Sequence, residues 1–403
     1  MGLFSSAVIA STVALSGNVQ LDSLIYGAKW ESKEISYSFN ADPGYYTDWT
    51  KTYAVSDKTK SVFRSAFKQW ENVANVHFVE KELGEINITK GDVATELSHS
   101  RELSKGRTFN AKSWGFSKAL AKSTNDSLSM VGDIWVFDDV IDNPSHTSKQ
   151  VNVKNMGSFH NAMHEIGHSL GLKHPFESGE GSNSVLNNKL DSMVYTIMSY
   201  TPGASKQSIS GETDGTSSPC STPMILDILA IQYLYGANMK HNTGDDTYTI
   251  GSTNTKSCQT IWDADGNDTI DASNFKYTNS LIDLTPGSAS KLSMIILESG
   301  RNAGLRSPEH TLGIAHNVII ENAIGGEGND VIKGNVANNT INGGNGSDVF
   351  LVDGRMSSNH LTFERVSVNT IKVTSVSGDT DTLIDMEIVR FSDSNEEINL
   401  SEI

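Results

Sequence analysis

The chain has 403 residues, more than one ordinary hydrophobic core holds, so two domains are expected. Its formal net charge of −17 argues against a nucleic-acid partner, because phosphate groups would be repelled. An acidic chain suits a protein that collects calcium with carboxylates, although a well-solvated surface would carry the same charge. No apolar run approaches the roughly 18 residues that a membrane helix needs, so no membrane span is expected.

The start of the chain and its cysteines give only weak signals. Residues 1–18 contain no Lys or Arg, and Ser and Thr break their apolar stretch, so they are interpreted as a processed leader or an N-terminal helix. The two cysteines, Cys220 and Cys258, are too few for a disulfide framework. They could pair in an oxidising compartment or remain thiols, and the sequence leaves both states open.

Residues 19–240 mix the two patterns of regular structure, which predicts an α+β domain. Strands show alternation with period two, and helices show apolar residues every three or four positions. The elements predicted in chain order are strands within 21–40, a helix around 62–70 with Asp57 as its N-cap, a strand in 75–80, a short strand in 132–140, a helix opening at Phe159, and an apolar helix ending at Gly236. Residues 84–130 are polar and weakly patterned, with an extended edge expected around Trp114–Ala121.

The segment HEIGHSLGLKHP, which begins at His164, crowds three histidines and a glutamate into twelve residues. His164 and His168 are four apart, so on a helix their imidazoles project from one face, as a shared zinc ion requires. Gly171 allows a sharp turn, because glycine adopts positive φ at little cost, and His174 can then return as a third ligand. Glu165 stands beside the first histidine, within reach of a metal-bound water. Histidines that only make core hydrogen bonds would explain part of this spacing but not all of it.

This pattern is that of the metzincin zinc peptidases, in which a methionine turn underlies the metal. The segment YTIMSY supplies such a turn, centred on Met198. Tyr200 could contact the metal or donate to the oxyanion that forms at the attacked carbonyl, and an ordinary half-buried tyrosine is the alternative. The parts predict hydrolysis of peptide bonds by a zinc-activated water with Glu165 as general base. An extended substrate could add as a strand along Trp114–Ala121.

Beyond about residue 240 the composition changes to Gly, Asn, Asp, Thr and Ser, and residues 241–403 are predicted to form a second, all-β domain. GGEGNDVIK, GNVANNTIN and GGNGSDVFL are consecutive nonapeptides of the pattern GGxGxDxUx, which forms a calcium-binding parallel β-roll. If one coil takes two nonapeptides, the first and third repeats stack on one side, 18 residues apart. The middle repeat lacks the aspartate and two glycines, so the opposite side is expected to be poor in ligands.

The best calcium site is therefore expected between the first and third repeats. Its candidate ligands are Gly325, Gly326, Gly328, Asp330, Gly343, Gly344, Gly346 and Asp348. The side chains expected to point into the roll are Val331, Ile332, Val349 and Phe350. Upstream, the loop DADGNDTID supplies Asp263, Asp265 and Asp268, either as a further calcium ligand set or as a solvated turn.

Together, HEIGHSLGLKHP, YTIMSY, LDILAIQYLYGAN, IWDADGND and IAHNVIIENAIGGEGND resemble the serralysin family of secreted bacterial zinc endopeptidases. The resemblance implies an α+β metzincin-type zinc peptidase domain followed by an all-β parallel β-roll and β-sandwich domain that binds calcium. The site residues that it implies are His164, His168 and His174 for zinc, Glu165 as the base, Tyr200 as a switchable extra ligand, and Glu321 for calcium. It also implies type I export to the extracellular space and action on protein or peptide substrates; a proteinaceous peptidase inhibitor and a monomeric state are further expectations.

Two other functions remain open from the sequence. One is a calcium-dependent binding or adhesive protein whose peptidase domain is inert, and the other is a toxin peptidase of narrow specificity. An inert relative would be free to lose Glu165 or a histidine, and this chain keeps all of them, which favours an active enzyme. The loops that would shape the cleft, 84–130 and 177–192, do not decide between broad and narrow specificity.

Overall fold

A computed structural model of the protein describes residues 10–39, 53–90, 115–117, 132–136, 151–179, 181–201, 220–251, 257–296, 306–354, 356, 360–394 and 396–403. At 10, 115–117, 151–158, 257, 294–296 and 306–310 it describes the backbone alone. Two compact units emerge, and each is treated by itself. The described residues up to 201 together with 220–238 form the first unit, and those from 239 to 403 form the second.

The first unit contains a mostly parallel sheet. Its strands are β3 (Glu34–Ser38), β4 (His77–Glu80), β5 (Ile86–Lys90), β6 (Gly115–Ser117) and β7 (Ile134–Val136), in the order β4-β3-β5-β7-β6. Every neighbouring pair is parallel except β6 with β7, and β6 is the outermost of the described strands on its side of the sheet. The edge expected from the sequence is thus confirmed for 115–117; the rest of Trp114–Ala121 lies outside the described residues.

In the part of the first unit that the structure describes, four helices and a two-stranded ribbon accompany this sheet. They are β1 (Ala10–Thr12), α1 (Val19–Asp22), β2 (Ala28–Trp30), α2 (Asp57–Val73), α3 (Val151–Ser169) and α4 (Ile225–Tyr235). The apolar stripe of α2 is buried, and the indole N–H of Trp70 donates to the carbonyl oxygen of Met163 in α3 at 3.1 Å. A buried indole needs such an acceptor, so this bond fixes α3 against α2. Helix α4 ends at Gly236 with φ +85, as its sequence predicts.

Two sequence interpretations are wrong in detail, and one strand lies where none was predicted. Residues 10–12 form a strand on β2 rather than part of a helix. The N-cap of α2 is Ser56, whose hydroxyl accepts the N–H of Thr59 at 3.2 Å, while Asp57 is the first helical residue. Strand β5 lies in a stretch that seemed weakly patterned, because its buried polar residue Asn87 is satisfied by the Asp133 carboxylate at 2.7 and 3.1 Å.

The histidine-bearing helix α3 ends in a Schellman motif. The N–H of Leu172 donates to the carbonyl of Gly167 and the N–H of Gly171 to that of His168, at 2.9 and 3.0 Å. Gly171 has φ +101, and a β-carbon there would collide with the carbonyl oxygen of Ala28 in β2. Glycine is therefore required twice at this turn, once by the backbone angle and once by the close approach of β2. The turn expected at Gly171 is confirmed.

The second unit consists of strands in the part that the structure describes, apart from a terminal 3₁₀ turn at Leu400–Glu402, which confirms the all-β prediction. Its strands are β8 (Thr247–Thr249), β9 (Ser257–Ile261), β10 (Thr269–Asp271), β11 (Asn279–Asp283), β12 (Ala289–Ile296), β13 (Arg306–Ile314), β14 (Asn322–Ile324), β15 (Val331–Lys333), β16 (Thr340–Asn342), β17 (Val349–Val352), β18 (Thr362–Arg365), β19 (Thr370–Thr374), β20 (Thr380–Ile384), β21 (Ile388–Phe391) and β22 (Glu397–Asn399). They form two sheets, β18-β19-β20-β16-β14-β10-β8 and β22-β21-β17-β15-β11-β12-β13-β9.

The glycine repeats wind as a parallel β-roll in which the chain alternates between the two sheets. Asn322 of β14 pairs with Thr340 of β16, and Val331 of β15 pairs with Val349 of β17. Both offsets equal 18 residues, so one coil takes two nonapeptides, as predicted. The roll core is made of two columns of paired side chains that are at most 3% exposed: Ile270, Ala323, Ile341 and Leu383, and Ile282, Ile332, Phe350 and Val389.

Two smaller expectations are settled by burial. Val331 is half-buried rather than inward, because it alternates with the inward Ile332, whereas Val349 and Phe350 are both buried. Cys220 and Cys258 are both buried as thiols. Among the described helices, none combines the length and the apolar character that a bilayer crossing would need.

The Gly171 turn gives a test with a built-in control. Gly179 also has positive φ, +105, but a β-carbon there would meet nothing within 4 Å. Gly179→Ala should lower the free energy of unfolding by about 1 kcal/mol through backbone strain alone. Gly171→Ala should lower it by about 3 kcal/mol or more, because the collision with Ala28 is added. Denaturant unfolding followed by tryptophan fluorescence measures both, and equal losses would contradict the close approach.

Candidate metal centres

The three histidines of the zinc motif meet around one point. His164 and His168 project from α3, and His174 returns from the far side of the Gly171 turn. The Nε2 atom of His174 lies 3.2 Å from that of His164 and 3.1 Å from that of His168. Nitrogen ligands at 2.0–2.1 Å in a tetrahedral zinc site are roughly 3.3 Å apart, so the spacing fits one ion.

The outer ring nitrogens fix which atoms face the centre. Nδ1 of His164 donates to the carbonyl oxygen of Ile197, and Nδ1 of His168 to that of Leu172, both at 2.8 Å. A carbonyl only accepts, so each neutral ring carries its proton on Nδ1 and turns the Nε2 lone pair inward. Burial, reinforced by the neighbouring His174, lowers the pKa of His164 to about 3 and that of His168 well below its usual range. Neutral lone pairs that converge repel one another, and a cation is what relieves them.

The third histidine has a carboxylate behind it that sequence reasoning missed. Oε1 of Glu177 lies 3.0 Å from Nδ1 of His174, although the N–H is not aimed squarely at that oxygen. The contact is therefore electrostatic more than a well-aligned hydrogen bond. It orients the ring and raises its basicity toward a metal. The Phe176 ring stacks on the other side of His174, with centroids 5.2 Å apart and planes at 4°.

The methionine turn lies directly under helix α3. A β-carbon on Gly167 would come within 2.8 Å of the Met198 sulfur, and the Met198 side chain is fully buried. Glycine at this position allows the helix backbone to pack directly against the sulfur, one residue before the ligand His168. The turn predicted from YTIMSY thus lies where a supporting floor is needed.

A buried aspartate ties this turn to helix α4 and was also missed. Asp227 accepts the Thr196 hydroxyl at 2.6 Å and the N–H groups of Ile197 and Met224 at 2.8 Å each. Burial raises the pKa of Asp227 to about 7, and these three donors oppose that rise. Ile197 links Asp227 to the histidine centre, because its N–H donates to Asp227 while its carbonyl oxygen accepts from His164. The sequence signal that could have revealed Asp227 is an acidic residue in the first turn of an apolar helix.

Of the two residues expected to do chemistry, Tyr200 reaches the ligand atoms, and Glu165 lies next to His164 in the chain. Glu165 follows His164 on α3 and is 8% exposed. The hydroxyl of Tyr200 lies 2.7 Å from Nε2 of His174, and the residue as a whole is 62% exposed. This tyrosine therefore reaches the ligand atoms while remaining open to solvent.

A second metal-like cluster forms in the second unit, in the loop DADGNDTID. Asp263 and Asp268 lie with Asp246 so that one carboxylate oxygen from each falls within 4.8 Å of the others. Above Gly266, the carbonyl oxygen of Gly244 and Oδ1 of Asp268 crowd the place of a β-carbon, the latter at 2.7 Å. Carboxylate and carbonyl oxygens together are the ligands that calcium takes. Asp265 instead accepts the N–H of Gly266 within its own turn and is absent from the cluster.

The acidic turns of the roll are joined by ladders of backbone hydrogen bonds. The N–H of Asp246 donates to Asp268 and that of Asp268 to Glu321, both at 2.8 Å, which places Glu321 beside the cluster of Asp246, Asp263 and Asp268. At the other end of the coils, the N–H of Asp330 donates to Oδ1 of Asp348 at 2.7 Å. Each of these carboxylates thus accepts a backbone N–H from the turn stacked before it. The sequence motifs, taken one at a time, did not reveal this pattern.

The first and third glycine repeats stack as the sequence predicts. Above Gly325, the carbonyl oxygen of Gly343 and Oδ2 of Asp330 take the space of a β-carbon, the latter at 2.7 Å. This is the same arrangement of oxygens as above Gly266. A β-carbon would likewise collide with a carbonyl oxygen of a neighbouring turn at four other glycines of the first and third repeats: Gly326, Gly328, Gly344 and Gly346.

The middle repeat does not fit a calcium ion, because side-chain amide groups occupy the place where the ion would lie. The side-chain amide of Asn335 donates to the carbonyls of Leu284 and Ile320, at 3.2 and 2.8 Å. That of Asn339 donates to the Glu321 carbonyl at 3.1 Å and to Asn335 Oδ1 at 2.9 Å. Donors now point at the carbonyls that an ion would need.

Comparisons with known proteins agree with this geometry. A family model described as matrixin matches residues 29–199, and one described as peptidase M10 serralysin C terminal matches residues 226–401. Serralysin of Proteus mirabilis is 33% identical over 330 residues, covering 76% of this chain and 60% of that protein. Serralysin of Photorhabdus luminescens is 34% identical over 315 residues, with coverages of 72% and 54%. Metallopeptidase AprA of Pseudomonas marginalis is 32% identical over 295 residues, covering 68% and 54%.

The chain spans about three-fifths of the length of these relatives or less. Their family binds zinc at the catalytic site and calcium in the C-terminal domain, the two metals that the clusters fit.

The contact behind His174 gives a prediction about metal affinity. Glu177→Gln keeps the size of the side chain but removes its charge, so zinc affinity should fall about 10–100-fold. His168→Ala, which removes a ligand atom, should abolish stoichiometric zinc binding. Glu31→Gln, an exposed change of the same kind, is the matched control. Competition with a chelator measures the affinities, and unchanged affinity in Glu177→Gln would contradict the role of this carboxylate.

The acidic turns give a prediction about pH. Without calcium, burial raises the pKa of Asp348 to about 7 and those of Asp330 and Asp268 to about 6. The folded calcium-free unit then holds protons that the unfolded chain releases, so its stability falls as pH rises from about 4 to about 7. In a chelator, the second unit should unfold before the first and at a lower temperature at pH 8 than at pH 5.5. Calorimetry measures the unfolding temperatures. An unfolding temperature of the calcium-free second unit that rises with pH would contradict this prediction.

Proposed function

Because the chain belongs to the serralysin family, we propose that it is a zinc-dependent endopeptidase whose own residues complete the catalytic site. The observation that carries the proposal is the convergence of three histidine Nε2 atoms on one point, with the buried Glu165 next to His164 in the chain. We assign residues 19–240 to the peptidase domain and 241–403 to the calcium-binding domain.

The residues divide the chemistry between them. His164, His168 and His174 would hold the zinc, which when bound supplies a Lewis acid that polarises the scissile carbonyl and activates water. Glu165 takes the proton of the attacking water as general base and returns it to the leaving amine. Tyr200 donates its hydroxyl hydrogen bond to the oxyanion that develops on the carbonyl.

Substrate alignment follows from the sheet. Strand β6 is the edge beside β7, and an edge strand offers unpaired backbone groups to an extended peptide. Main-chain pairing of this kind tolerates many side chains, which suits action on unfolded proteins. Export to the extracellular space, a monomeric state and control by a proteinaceous inhibitor belong to the same proposal.

The test is digestion of casein by the parent, Glu165→Gln and Glu31→Gln at equal zinc and calcium content. Loss of the base should lower kcat/KM by about 10²–10⁴-fold, because general-base catalysis contributes that much. The exposed control should cleave like the parent.

Other outcomes separate the alternatives. Zinc-loaded parent that cleaves no casein would point to a narrow-specificity peptidase or a calcium-dependent binding protein. Equal cleavage by Glu165→Gln would remove Glu165 from its role while leaving the peptidase in place.

A further inference from the structure

The last acidic turn of the second unit stacks on the third glycine repeat. This turn, Asp385–Glu387, joins β20 to β21, and the third repeat, Gly343–Asp348, joins β16 to β17. Because β16 pairs with β20 and β17 with β21, both in parallel, the two turns lie one above the other at the same end of the roll. The last turn carries no glycine, so the repeat pattern does not reveal it.

The oxygens of the last turn nevertheless reproduce the arrangement found at the other two acidic sites. Above Gly343, Oδ2 of Asp348 lies 2.6 Å from the place of a β-carbon, and the carbonyl oxygen of Asp385 lies closer still. Gly325 and Gly266 carry the same pair, one carboxylate oxygen and one carbonyl oxygen of the adjacent turn. Two oxygens this near one point are at most about 5 Å apart, a gap that an ion with ligand distances of 2.3–2.6 Å spans.

One of these oxygens lacks a donor. Asp348 is 0% exposed, and its Oδ2 has no hydrogen-bond partner in the described part of the chain. Its other oxygen, Oδ1, is already engaged by the N–H of Asp330. A buried carboxylate oxygen without a donor is costly, and a cation at that oxygen removes the cost.

The last turn is held so that its carbonyl faces this oxygen. Asp385 has φ +48, a left-handed conformation, and its N–H and its carboxylate both bind Asn369, at 2.9 and 2.8 Å. Oε2 of Glu387 accepts the N–H of Asp348 at 2.6 Å, which continues the ladder from Asp330 by one more step. The last turn therefore takes the place of a fourth glycine repeat, although it does not have the glycine-rich sequence of one.

We propose that the last acidic turn and the third repeat enclose a calcium site of their own, bound by Asp348 Oδ2 and the Asp385 carbonyl. This site is separate from the one between the first and third repeats, where Asp330 Oδ2 and the Gly343 carbonyl meet. The two sites share the third repeat but no ligand oxygen. Calcium is the cation that suits a mixture of carbonyl and carboxylate oxygens in a flexible geometry.

Counting ions in isosteric variants tests this proposal. Asp348→Asn and Asp330→Asn should each bind one calcium fewer than the parent, and the double variant should bind two fewer. Asp381→Asn is the matched control, because Asp381 accepts the N–H of Asn339 at 2.9 Å on the side filled by asparagine amides. It should bind as many ions as the parent. Equilibrium dialysis against labelled calcium gives the counts.

Either of two results would overturn the proposal. The first is an unchanged count in Asp348→Asn; the second is a double variant that loses a single ion, because both carboxylates would then serve one site. If a variant does not fold, crystals of the parent soaked in lanthanum give an independent answer. An anomalous peak bonded to both Asp348 Oδ2 and the Asp385 carbonyl is expected, and its absence at an otherwise occupied roll would equally reject the site.

Discussion

Repulsion between like groups held close together is the constraint on which this structure depends. In the first unit three imidazole nitrogens face one point, and in the second unit carboxylates and carbonyls crowd above glycines. Neither arrangement would persist in a chain free to relax, since each group would turn toward water or a donor. The rest of the fold can be understood as the means by which these groups are held in place until a cation stabilises them.

The two units hold their groups by different means. In the first, rigidity comes from side chains and a buried core: Trp70 holds α3, Gly171 turns the chain, and Asp227 holds the peptide that orients His164. In the second, rigidity comes from the backbone itself, because each turn donates N–H groups to the carboxylate of the next turn. The first arrangement keeps its shape through burial, whereas the second depends more on the ions that it encloses.

The sequence predicted those features that follow from spacing. The i, i+4 histidines, the glycine turn, the methionine turn, the helix ending at Gly236 and the 18-residue coil all obey a fixed period, so position in the chain determines position in space. What it missed were contacts between residues that no period relates. Asp227 and Glu177 act through groups elsewhere in the fold, and Asp246 joins its cluster only after two coils have stacked. Strand β5 was hidden because Asn87 is buried against Asp133, which breaks the usual link between polarity and exposure.

The asparagine-filled middle repeat bears on which turns of the roll can close without an ion. Its amide groups form their hydrogen bonds with carbonyls whether or not calcium is present, so no charge must be neutralised before this turn closes. The paired strands on either side are only 18 residues apart, and closing so short a loop costs little conformational entropy. The turn at 334–339 is therefore complete without an ion, whereas each acidic turn brings together oxygens that a cation would stabilise.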